Sequence, residues 1–193
     1  MNILPYEKQI AANAALTEGC SIRATARLTG IHRDTVMRLG VRVGEGCASL
    51  HDGMMRNLQV SLLQLDEAWS YVGKKQRRAT KDETDKGDQY VYIALDATNK
   101  AIISYLVGKR TAENTGAFAQ DVYDRILNRP QITTDGLEQY IWAIDDAFGI
   151  NVDYAQLVKV YKGEPAKDAA RRYSPGWVVK VRHAEITGYP DRR

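Results

Sequence analysis

With 193 residues, 44% hydrophobic content and a formal net charge of +3, the chain has room for one medium domain plus a small one and enough apolar material for a real core. No window approaches the roughly 18–20 uninterrupted apolar residues of a membrane span, and Met1 to Pro5 lacks the charged and apolar regions of a signal peptide, so a folded cytoplasmic protein with no membrane partner is expected. Cys20 and Cys47 lie 27 positions apart with no Cys-x-x-Cys and no paired histidine, which indicates neither a disulfide framework nor a zinc ribbon.

The first organised block runs from about Tyr6 to Val43. Ile10, Ala14 and Leu16 form a helical apolar stripe that stops at Gly19, and Ser21 offers an N-cap to a second helix. That helix turns Ile22, Ala26 and Leu28 inward and closes at Gly30; Ile31, Val36 and Leu39 then mark the buried side of a third helix ending at Gly40. The spacing is that of a helix-turn-helix, with Ala26 small enough for two helices to approach and Gly30 free to make the tight turn. His32, Arg33, Met37 and Arg38 are left outside, where a recognition helix presents side chains to the major groove. Glycines at 44, 46 and 53 predict a linker over 46–57, with the helical domain over 1–45 and a second domain over 58–193.

Between Val60 and Val72 the residues alternate with apolar side chains on both faces, the pattern of a central buried strand. Asp66 falls inside it, where an unpaired carboxylate is costly and calls for a cation or partner. Gln89–Ala97 and Lys100–Val107 read as two further strands turning at Thr98-Asn99, which makes a three-stranded meander with a polar loop, Gln76–Asp88, inside it. Thr111–Leu127 has the spacing of an amphipathic helix and Gln131–Thr134 that of a short strand ending in Asp135-Gly136. A helix follows over about Leu137–Phe148, and Trp177–Arg182 looks like another strand.

Three strands, a helix, a strand and a helix is the order of an RNase H-like mixed sheet, so the fold class expected is α/β: a helix-turn-helix bundle in front of an RNase H-like domain. That fold sets the first strand beside the fourth, where Asp66 and Asp135 would stand within about 4–6 Å and share a cation, like charges otherwise raising the pKa of one of them. Mg²⁺ takes oxygen ligands and is commonly held by one or two carboxylates. Positive charge is locally concentrated: Lys74, Lys75, Arg77, Arg78 and Lys81 crowd one stretch, and Lys159–Arg193 holds nine Lys or Arg against four Asp or Glu. Phosphate contacts require such an excess, although a solvated loop has it too.

The segment Leu65-Asp66-Glu67-Ala68-Trp69-Ser70-Tyr71-Val72-Gly73-Lys74-Lys75 resembles the first catalytic block of the insertion-element-one class of DDE transposases: an acidic pair, then Trp, then Tyr-Val-Gly. Tyr92-Ile93-Ala94-Leu95-Asp96 resembles that family's second strand, Thr133-Thr134-Asp135-Gly136 its second catalytic block, and Ser21 to Arg42 its DNA-binding region. The resemblance implies Asp66 and Asp135 as catalytic metal ligands for Mg²⁺ or Mn²⁺, and cutting and joining of element ends to target DNA. It further implies double-stranded DNA as partner, a nucleoid location, and Lys74, Lys75, Arg77 and Arg78 as backbone contacts; a homo-oligomer is compatible with it. Glu67 and Asp96 are expected as local structural acids, and Trp69 and Tyr71 as strand-packing residues. The family's third acid, in a motif Ser-Thr-x-x-Val-Glu-Arg-x-Asn, has no counterpart here, and Glu185 and Asp191 are the substitutes to test. The sequence reads as a domain cut short before that acid, so little or no strand transfer is expected, and a catalytically inactive helix-turn-helix DNA-binding protein is the alternative.

Overall fold

The computed structural model describes residues 4–162 and 177–191. The chain divides into two compact units, Met1–Met54 and Met55–Arg193. The first holds α1 (Tyr6–Thr17), α2 (Ile22–Thr29) and α3 (Arg33–Met54). The Ser21 hydroxyl accepts the Ala24 N–H at 3.2 Å, satisfying a donor that the start of α2 leaves orphaned. Gly30 ends α2 at φ 67°, in the left-handed region where the missing Cβ removes the penalty.

Ala12, Ile31, Val36 and Leu39 form the core of this unit, with Leu16, Ala26 and Val43 packed around them. Ile31, Val36 and Leu39 are buried as expected. Ile10, Ala14, Ile22 and Leu28 are exposed instead, and the inward positions of α1 and α2 go to Ala12 and Thr25. Short helices in a small unit bury one narrow stripe each, and here close approach selects its small residues, leaving larger apolar side chains on the surface. The third helix does not stop at Gly40 and no linker spans 46–57: α3 runs through Gly44, Gly46 and Gly53 to Met54. An interior glycine costs only about 1 kcal/mol against alanine, and a helix already nucleated at Val36 and Leu39 gains a hydrogen bond with each added residue. The unit boundary accordingly falls at Met54 rather than at residue 45.

The second unit is mixed α/β. Its six strands are β1 (Leu62–Val72), β2 (Gly87–Asp96), β3 (Ala101–Gly108), β4 (Gln131–Thr134), β5 (Asp153–Lys162) and β6 (Trp177–Thr187), in the sheet order β3-β2-β1-β4-β5-β6. Helix α4 (Ala112–Arg125) lies between β3 and β4 in the chain, and α5 (Gln139–Phe148) between β4 and β5. β1, β2 and β3 form the expected antiparallel meander. Asp96 closes its second turn by accepting the N–H groups of Thr98 and Asn99 at 2.9 and 3.3 Å, a local structural role. β4 pairs parallel with β1, and β5 parallel with β4. β5 has no counterpart in the sequence reading, because its inward residues include Gln156 beside Tyr154 and blur the apolar alternation.

β1 is buried on one face only. Leu63 and Leu65 point into a core shared with Tyr92, Phe118, Ile132, Tyr140, Ile144 and Tyr154, whereas Leu62 is 41% exposed and Gln64 and Asp66 lie open. Burying each large side chain stabilises by about 1.5–3 kcal/mol, and a one-residue slip would put Gln64, with either Leu62 or Asp66, in place of the two leucines, so the register is firmly specified. No helix among the described residues is long and apolar enough to cross a membrane.

Candidate functional site

Strand register builds the site. Leu65 pairs with Thr134 as the last step of the β1–β4 ladder, so Asp66, midway along β1, and Asp135, just past the end of β4, follow side by side where the parallel pairing stops. This is also where the sheet order reverses direction, the position at which open α/β sheets form a crevice. One carboxylate oxygen from each of Asp66, Glu67 and Asp135 lies within 4.8 Å of the others. Asp66 folds back so that Oδ1 accepts the N–H of Glu67 at 2.8 Å. Asp135 Oδ1 accepts the N–H of Leu137 at 3.0 Å, an Asx turn that orients the side chain. Gly136 allows the loop to lie against β5, since a Cβ there would stand 3.1 Å from Val158 Cγ2. Asp66 and Asp135 open into a cleft of about 920 Å³ whose wall includes Arg110, Lys159 and Tyr161.

The costly carboxylate is Glu67, not Asp66. Asp66 is exposed on the open face of the sheet, because the parity of β1 places it opposite to Leu63 and Leu65. Glu67 shares their face, and its side chain is only 2% exposed. Burial pushes its pKa up; the Tyr140 hydroxyl and the Arg110 charge oppose that, and the neighbouring Asp135 and Asp66 charges add to it. Glu67 Oε2 stands 3.1 Å from Arg110 Nη2; Glu67 Oε1 and the buried Tyr140 hydroxyl influence each other electrostatically without reaching the geometry of a regular hydrogen bond, so Oε1 is left unsatisfied. Glu67, expected from the sequence as a local structural acid, could have been found from its place on the apolar parity of β1, shared with Leu63 and Leu65.

Arg110, which sequence reasoning missed, lies two residues beyond β3. Its Nη2 is 3.8 Å from Asp135 Oδ2 as well as 3.1 Å from Glu67, and its guanidinium sits 5.5 Å from the Tyr90 ring centroid. Glu67 and Asp135 therefore share one guanidinium, with the Asp66 carboxylate close beside them. Oxygen donors with an excess of negative charge, one of them a buried orphan, suit a hard divalent cation such as Mg²⁺ or Mn²⁺. Neither Glu185, on β6 opposite Ala155, nor Asp191 belongs to the carboxylate group.

The residues predicted to meet DNA lie in several settings. His32, Arg33, Met37 and Arg38 are exposed at the start of α3. His32 Nδ1 accepts the Asp34 N–H at 3.3 Å, which makes it a helix cap. Arg33 donates from Nε to Asp34 at 3.0 Å and holds that carboxyl below its usual range. Lys74 is committed to Glu83, together with Lys86, and the two cations drive the Glu83 carboxyl far below its ordinary value. Arg77 and Arg78 are exposed on a 3-10 turn. Trp69 and Tyr71, expected to pack inside, are each 48% exposed: β4 ends opposite Leu65, so this half of β1 projects past it with β2 as its one partner strand among the described residues.

No protein-family model matches the chain, and no curated protein matches it. Among solved structures the chain is similar to a piggyBac transposase in a synaptic complex with hairpin DNA, with a TM-score of 0.44 and 12% identity. The match covers 84% of this chain and 45% of the other, so the chain spans less than half the length of that protein.

Proposed function

We propose that this is a transposase-type DNA-binding protein in which Asp66, Asp135 and Glu67 hold a divalent cation for phosphodiester chemistry. The observation that carries this reading is the convergence of the three carboxylates at the reversal point of the sheet, within 4.8 Å of one another. The strand order fits an RNase H-like arrangement, and the motifs around Asp66 and Asp135 resemble those of insertion-element-one transposases. Mg²⁺ or Mn²⁺ in such a site supplies charge stabilisation of a phosphate and lowers the pKa of a bound hydroxyl.

This chain's own residues prepare that chemistry. The Glu67 N–H and the Leu137 N–H fix the two aspartates, so little ordering remains to be done when a ligand arrives. Arg110 offers a guanidinium suited to a phosphate oxygen. In hydrolysis a water oxygen bonds to phosphorus, the bridging P–O bond breaks with its electron pair on the leaving oxygen, and the water proton leaves to a carboxylate or solvent.

The first unit supports a second reading, DNA binding without catalysis. His32, Arg33, Met37 and Arg38 form an exposed set at the start of a 22-residue helix that follows a glycine turn, the arrangement of a helix-turn-helix recognition helix.

Melting curves with and without Mg²⁺ or Mn²⁺, together with cleavage of end-labelled DNA, decide between the two. The metal-site reading expects a cation-induced rise in Tm that Asp66→Asn or Asp135→Asn abolishes while leaving the metal-free Tm unchanged or slightly higher, since each substitution relieves repulsion. Cation-dependent cutting lost in both variants would establish the enzyme. DNA binding with no cation response leaves the second reading, and large destabilisation of both variants would make the aspartates structural.

A further inference from the structure

We propose that Trp69 and Tyr71 form a stacking ledge for an unpaired base of the strand whose phosphate reaches the carboxylates; this rests on the reading of DNA as substrate. Alternate residues of a strand share a face and stand about 7 Å apart, so Glu67, Trp69 and Tyr71 form a row leading away from the site. The rings of Trp69 and Tyr71 lie 5.8 Å apart with 38° between their planes, and both are half exposed.

Cations accompany the rings. Lys75 Nζ is 5.3 Å from the Trp69 ring centroid. Tyr90, directly across from Trp69 in the β1–β2 register, carries Arg110 over its face, and Arg110 also reaches Glu67 and Asp135. Asp135, Arg110, Tyr90, Trp69, Tyr71 and Lys75 therefore follow one another along this face, with Glu67 buried beneath Arg110. Alternating aromatic faces and cations is the chemistry that holds single strands, because every base offers a π-face and every phosphate a charge. A base inside a duplex has both faces covered by its neighbours, so the ledge selects a frayed, flipped or overhanging nucleotide beside the bond to be cut. Single-stranded DNA and RNA share this chemistry, and DNA is the occupant that follows from a DNA-cutting site beside the ledge.

The test is fluorescence anisotropy with the full chain and labelled oligo-dT of about 12 nucleotides, oligo-rU of the same length, a blunt duplex, and that duplex with a short unpaired end. The ledge expects Trp69→Ala to weaken oligo-dT and overhang binding by roughly five- to a hundred-fold, the range of base–aromatic stacking, with blunt-duplex binding changed less than twofold. Trp69→Phe should keep most of the affinity, and Tyr71→Ala should weaken binding in the same sense. An unchanged Tm shows that Trp69→Ala is folded, and if it is not, the Trp69→Phe and Tyr71→Ala results decide. Equal oligo-dT affinity for the parent and the alanine variants overturns the ledge while leaving the DNA reading intact. Tighter binding of oligo-rU overturns DNA as its occupant, and failure of every nucleic acid to bind the parent removes both.

Discussion

Arg110 and Glu67 are joined across the site by a 3.1 Å contact between Nη2 and Oε2, and the carboxylate at one end of it is almost wholly buried. Removing the cation strands that charge. Arg110→Ala should cost about 2–3 kcal/mol, below the 3–5 kcal/mol of a fully buried pair because the Arg110 side chain is 35% exposed. The same variant should show a larger Mg²⁺-induced rise in Tm than the parent, since an added cation then replaces the missing one. Thermal melts across a Mg²⁺ series measure both effects, and a smaller metal response than the parent's would contradict the site.

Gly136 connects the second aspartate to the packing of β5. A methyl group at this position would press on Val158 at 3.1 Å, so Gly136→Ala should destabilise by about 1 kcal/mol, the lower end of overpacking costs. It should also weaken the Mg²⁺ response by shifting Asp135. Adding Val158→Ala should recover part of the loss, giving a double mutant more stable than the sum of the two single changes predicts. Strict additivity would place the effect elsewhere.

Asp153 ties the end of β6 to the sheet. Its carboxylate accepts from Arg129 at 2.7 and 3.1 Å and from the Tyr189 N–H at 2.8 Å. The Arg129 hydrogen bond, then that of Tyr189, hold its pKa below the usual carboxylate range, with burial opposing them. A depressed folded-state pKa contributes stability that is present above the ordinary carboxylate range and lost as pH falls through the lowered value. Asp153→Asn should therefore be less stable than the parent by about 1 kcal/mol at neutral pH, discounted for solvent exposure, and the difference should vanish in strong acid. Gly188→Ala should cost more, because φ is 69° and a Cβ would overlap both Asp153 Oδ1 and Arg129 Nη2. Denaturant titrations at several pH values test both.

Exposed arginines on α3 make the DNA reading quantitative. Arg33→Ala and Arg38→Ala should each weaken duplex binding, and each lost phosphate contact should reduce the slope of log affinity against log salt by about 0.9. Arg38 should matter more than Arg33, whose guanidinium is already engaged by Asp34 at 3.0 Å. Binding isotherms at several salt concentrations separate these outcomes, and unchanged slopes would exclude α3 as the phosphate-contacting helix.

The sequence by itself determined the parts of this protein that local chemistry controls. Ser21 and Gly30 bound α2 because a hydroxyl caps orphan N–H groups and a glycine accepts positive φ. The meander turns at Thr98-Asn99 because Asp96 bonds the backbone two and three residues on, and the motif around Asp66 and Asp135 marked the two aspartates that the parallel β1–β4 pairing brings together.

Tertiary structure decided the rest. Whether glycines at 44, 46 and 53 break a helix depends on its anchoring at Val36 and Leu39, which outweighs a cost of about 1 kcal/mol each. Which of Asp66 and Glu67 is buried depends on which face of β1 receives α4 and α5, information carried by Phe118, Tyr140 and Ile144 far along the chain. Arg110 enters the site because the segment after β3 carries it over the Tyr90 ring to Glu67 and Asp135, and Trp69 and Tyr71 stay in water because β4 stops after four residues, leaving the end of β1 with one neighbouring strand among the described residues. Periodicity reports that a strand has two faces; only the pairing of distant segments determines what covers each of them.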